Sequence, residues 1–115
     1  MDVKTIATDL NLSLQAGSEG LATAVSGCYV SDLLSNVMGQ AGENVLWVTM
    51  QGHQNIVAIA SLLSLSGIIV AGEATVEAET IAKAEENAIP LFTTDMPVFD
   101  VAGKLYAMGL TGFKK

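Results

Sequence analysis

A chain of 115 residues that is 50% apolar supports one domain with one substantial core. Its 12 acidic residues face five lysines and no arginine, and the net charge of −7 excludes nucleic-acid binding, which needs a basic face to neutralise phosphates. The same balance excludes bidentate arginine clamps, so an anionic ligand would depend on backbone N–H groups at helix starts.

The opening MDVKTIATDL carries Asp2 and Asp9 and no long apolar run, so it does not read as a signal peptide. Val3, Ile6, Ala7 and Leu10 instead form the apolar stripe of a short amphipathic helix. Leu12–Ala16 alternates apolar and polar residues as a half-buried edge strand would, and Gly17–Gly20 is a turn. Thr23–Val30 is expected as a second strand that ends at Ser31-Asp32, residues suited to an N-cap. Leu33–Ala41 then forms a helix with Leu33, Leu34, Val37, Met38 and Ala41 on its inner face.

From there the pattern is regular. Strands at Val45–Met50, Ile68–Ala71 and Ile89–Phe92 are each followed by a helix, at a step of roughly 22 residues. The helix after Gln54 is apolar nearly all round and should be buried on more than one side. The uncharged run Ile56–Gly72 is broken by Ser61, Ser64, Ser66 and Gly67, so a membrane span is not expected. Val76–Ala88 should face solvent, with Glu79 and Lys83 paired at i, i+4. In the last helix, Pro97–Met108, Asp95 is the expected N-cap, Pro97 lies in the first turn and Gly109 follows the end. Residues 1–110 thus read as one domain and 111–115 as a short tail. Strands alternating with helices imply a three-layer α/β/α sandwich around a mainly parallel sheet.

In such a sheet the carboxyl ends of the strands share one edge, where open α/β folds bind ligands. Four polar turns should converge there, each at or just before a helix start where free N–H groups favour anions. They are Tyr29 with Ser31 and Asp32; Gln51, Gly52, His53, Gln54 and Asn55; Gly72 and Glu73; and Thr93, Thr94 and Asp95. Taken one at a time, Ser31, Asp32, Thr94 and Asp95 read first as plain N-caps, and it is their convergence that points to a site. His53, the lone histidine, reads as a proton shuttle, a ligand contact or a phospho-acceptor, or else as a turn residue packed on its neighbours. It is expected near Tyr29, Ser31 or the Thr93–Asp95 turn.

Metal binding is not expected, because His53 has no second histidine or ordered acid spacing beside it. Cys28, the sole cysteine, excludes a disulfide framework and reads as a small buried hydrophobe. The chain has no G-x-x-x-x-G-K-[ST] loop, no G-x-G-x-x-G after a strand and no G-x-S-x-G elbow. Neither a catalytic residue nor a cofactor is therefore expected.

The segments VSGCYVSDLLSNVM, VLWVTMQGHQNIVAIASL and GIIVAGE resemble the DRTGG domain, in particular its small stand-alone members. The opening helix, the Gly17–Gly20 turn and the following strand are similar to the N-terminal domain of HPr kinase/phosphorylase. This resemblance covers essentially the whole chain and implies a regulatory or dimerisation module, found in larger proteins beside CBS or phosphotransacetylase domains. The kinase's phosphate loop lies in a second domain that this sequence lacks. Where the family's name-giving motif places an Asp-Arg pair, this chain has Gly52-His53-Gln54-Asn55.

The expectation is a cytoplasmic, non-catalytic homodimer that senses a small ligand, of the nucleotide or phosphorylated-metabolite class, or docks on a partner protein. The alternative is a phosphoacceptor or small enzyme that uses His53.

Overall fold

Asp2 opens the first helix: its carboxylate accepts a hydrogen bond from the Thr5 N–H (2.9 Å), satisfying a donor that the helix start would leave orphaned. The computed structural model describes residues Met1–Lys115. This first helix, α1 (Val3–Leu10), buries Val3, Ile6 and Leu10, the stripe that its periodicity predicts. The chain continues through β1 (Ser13–Ala16), a one-turn helix at Ser18–Gly20, β2 (Gly27–Val30), α2 (Leu34–Gln40), β3 (Val45–Thr49) and α3 (Asn55–Leu63). It ends with β4 (Gly67–Val70), α4 (Ala78–Glu86), β5 (Leu91–Thr93) and α5 (Val98–Ala107).

The five strands form one sheet in the order β1-β5-β4-β3-β2, parallel except for β1, which runs antiparallel to β5. Alternate residues of the strands point to opposite faces and build two cores. Trp47, Ile68, Val70 and Leu91 pack against α2, α3 and α4, whereas Leu46, Val48, Ile69 and Phe92 pack against α1 and α5. This is the expected three-layer α/β/α sandwich. β3 and β4 are buried along their whole length, as their unbroken apolar runs require of strands covered on both faces. Each such Val, Ile or Leu contributes about 1.5–3 kcal/mol of transfer free energy. No helix is long and apolar enough to cross a membrane.

The structure corrects several local expectations. β2 is only the second half of Thr23–Val30. The first half is held by the chain start instead, through Val3 N–H to Thr23 O (3.0 Å) and Val25 N–H to Met1 O (3.0 Å). α3 buries Ile56, Val57, Ile59 and Ala60 but leaves Leu62 70% exposed, so only one side of it is covered. Lys83 pairs with Glu86 at 3.8 Å rather than with Glu79. Residues 111–113 lie along the outer edge of β2: Cys28 N–H donates to Thr111 O (2.9 Å) and Phe113 N–H to Cys28 O (2.7 Å).

Candidate functional site

Two of the four strand-end turns form one corner, at β2 and β3. Thr49 is 1% exposed, and burying its hydroxyl is tolerable only with a partner. Asp32 supplies it: one carboxylate oxygen accepts from Thr49 Oγ1 (2.8 Å) and from the Met50 N–H (2.7 Å). The Asp32 carbonyl accepts from Gln51 Nε2 (3.4 Å), and the Ser31 carbonyl accepts from Trp47 Nε1 (2.9 Å). Ser31 Oγ accepts from the Leu33 N–H (3.1 Å), while Tyr29 OH donates to Asn36 Oδ1 (2.6 Å). α2 therefore starts without a side-chain cap, and Asp32 is a latch across the sheet rather than the expected N-cap.

The next turn is closed in a different way. A Cβ on Gly52 would lie 1.9 Å from the Thr75 carbonyl oxygen, so only glycine lets this turn dock on the segment leading to α4. The Gly52 carbonyl accepts from the Glu77 N–H (3.1 Å) and from the buried Thr80 Oγ1 (2.7 Å). His53 is exposed, and its Nδ1 accepts from the Asn55 N–H (3.1 Å). The N–H groups of Ile56 and Val57 donate to the carbonyls of His53 and Gln54, so the start of α3 has little left with which to hold an anion. No hydrogen bond joins His53 to Tyr29, Ser31 or the Thr93–Asp95 turn. Gln54 and Asn55 line a cavity of about 440 Å³ between α3 and α4.

The other two turns frame the largest cleft, about 480 Å³. Gly72 and Glu73 both adopt the left-handed conformation (φ +72° and +60°), reversing the chain directly after β4. Gly72 N–H donates to Met96 O (2.8 Å) and Glu73 N–H to Thr94 O (3.2 Å), which ties the β4 turn to the β5 turn. Met96 N–H closes on Thr94 Oγ1 (3.2 Å), and α5 begins behind Pro97 without a side-chain cap. Asp95 is thus not the N-cap that its position suggests. Glu73, Thr93, Thr94 and Asp95 line the cleft on one side, with Ala74, Val76 and Ile81 as its apolar part.

The third side went unread in the sequence. Asn11, Ser13 and Gln15 complete the cleft, because an antiparallel strand begins where its parallel neighbours end. Ser13 pairs with Thr93 in register, and Gln15 Nε2 donates to Ser13 Oγ (3.0 Å) and to Thr93 Oγ1 (3.0 Å). The signal was present in Leu12–Ala16, whose polar positions become cleft residues once its pairing with β5 is known.

Tyr29 adjoins a further space, about 340 Å³, with Cys28, Val30, Ala102, Tyr106 and Phe113. Burial pushes the Cys28 thiol up to about 11, so it stays neutral and unreactive at ordinary pH. No three His, Cys, Asp or Glu side chains are grouped to hold a metal ion.

No protein-family model matches this sequence, and no curated protein matches it. Among solved structures, the chain is similar to the CBS and DRTGG domains of the regulatory region of a Clostridium perfringens pyrophosphatase, determined in complex with the activator diadenosine tetraphosphate. The TM-score is 0.74 at 21% identity, over 96% of this chain and 47% of that one, so the chain spans about half its length. The protein has the α/β fold found in that regulatory region, in agreement with the DRTGG-like domain read from its motifs.

Proposed function

We propose that the protein is a non-catalytic regulatory module that senses a small ligand at the carboxyl edge of its sheet. The observation that carries this reading is the 480 Å³ cleft between the β4 and β5 turns and the start of β1, on a fold shared with a regulatory region crystallised with its activator. Nucleotides and phosphorylated metabolites are the first classes to screen. The protein acts in the cytoplasm as a homodimer, joined through α2 and the residue leading into it, where Leu33 is 65% and Met38 39% exposed. Light scattering that gave only monomer mass at micromolar concentration would reject the dimer.

A thermal-shift screen tests the sensing role. At a hundredfold excess over Kd a specific ligand stabilises the native state by about 2.7 kcal/mol, which raises Tm by roughly 10 °C for a domain of this size. The stabilising ligand should lose its effect when cleft residues are replaced, and a ligand indifferent to those replacements would place the site elsewhere. The purified protein should not turn over ATP, having no phosphate loop and no arginine to steady a transferring phosphoryl group. The alternative role for His53 as a phosphoacceptor has its exposed imidazole in its favour. Recovery of a stable phosphohistidine at that position by mass spectrometry would support it.

A further inference from the structure

We infer that the cleft takes a small aliphatic amine in its ammonium form rather than a phosphorylated ligand; this rests on the reading of the edge as a ligand site. The inference follows from which hydrogen-bonding groups the fold has already used. Gln15 gives its amide N–H to Ser13 and Thr93, which leaves its Oε1 as the end without a partner. The N–H groups of Gly72, Glu73, Thr94 and Met96 are all bonded within the protein. A phosphate would find no cationic group there, only the neutral donors of Asn11, Ser13, Thr93, Thr94 and the Asp95 N–H.

The cleft walls instead offer acceptors. The carboxylates of Glu73 and Asp95 line it, and neither has a hydrogen-bond or ion-pair partner. No lysine lines the cleft. Within a chain of net charge −7 and no arginine, the surrounding field repels anions and draws cations. Ala74, Val76 and Ile81 add an apolar surface on which a run of methylenes can lie. A ligand complementary to these features carries positive charge, hydrogen-bond donors and an aliphatic body.

Isothermal titration calorimetry on the full chain, with 1,5-diaminopentane, agmatine, ADP and inorganic phosphate as probes, decides the matter. At least one amine should bind saturably, one per chain. Glu73→Gln and Asp95→Asn should each weaken it by about tenfold or more, as loss of a charge-assisted hydrogen bond does. Leu62→Ala, on the outer face of α3, should leave it unchanged. Amine binding indifferent to both carboxylate variants would show only general attraction to an acidic surface and overturn the proposal. ADP or phosphate binding that tightens in Glu73→Gln would overturn the ligand class while upholding the edge as a ligand site. Silence of all four probes would remove the proposal, and failure of the wider thermal-shift screen as well would remove the reading beneath it.

Discussion

The two corners of the carboxyl edge use similar residues for opposite purposes. At the β2–β3 corner, Asp32 is engaged by a buried hydroxyl and a backbone N–H, and the Gly52 carbonyl by another pair. At the β4–β5 corner, the Glu73 and Asp95 carboxylates hold no partner, although the N–H groups of Gly72, Glu73, Thr94 and Met96 beside them are bonded. A carboxylate at a strand end is therefore not a site by virtue of its position. What separates the corners is whether its lone pairs are already used by the fold, and that distinction can be tested.

The largest effect is expected at the closed corner. Gly52→Ala forces a methyl group into the Thr75 carbonyl, and the turn must move away from α4, disturbing the bond to Thr80. We expect a loss of about 3 kcal/mol or more, of the size overpacking produces, read as a lower urea midpoint. Asp32→Ala should come next, at about 2 kcal/mol, because it leaves the buried Thr49 hydroxyl and the Met50 N–H without their acceptor. If it proved neutral, the contrast between the corners would fail.

A smaller effect belongs to α1, outside both corners. The Thr5 N–H holds the Asp2 carboxyl below its usual range, so the folded state binds this proton less readily than the unfolded state. Its contribution is present above the unfolded value of 3.8 and is lost as pH falls through the lower folded value. Wild type and Asp2→Ala should therefore differ at pH 7 and converge in strong acid, as followed by urea titration at several pH values. The smallest effect on stability should be that of Glu73→Gln, within about 0.5 kcal/mol as for other surface changes. A marked destabilisation there would show that the open corner is structural after all.

The sheet and its helices were legible because buried parallel strands impose unbroken apolar runs such as Val45–Val48 and Ile68–Val70. The partners of polar side chains were not. Asp32 and Asp95 both stand before a helix, but a capping geometry depends on where the side chain points, and Asp32 reaches across to β3 instead. Ser13 and Gln15 were missed because strand direction is a property of the pairing and is not written in the residues of the strand. Thr23–Val25 has strand-like sequence, yet its backbone bonds to the chain start at Met1 and Val3 instead of to β3.

The segment at 111–113 carries a consequence for handling the protein. It occupies the Cys28 backbone on the outer side of β2, and the Phe113 ring covers Gly42. A shortened chain ending at Leu110 would leave a bare sheet margin beside Val30 and Tyr106, a template onto which another molecule's strand could add. Residues 111–113 thus shield this part of the β2 margin, and a truncated preparation should cloud on concentration where the full chain stays clear.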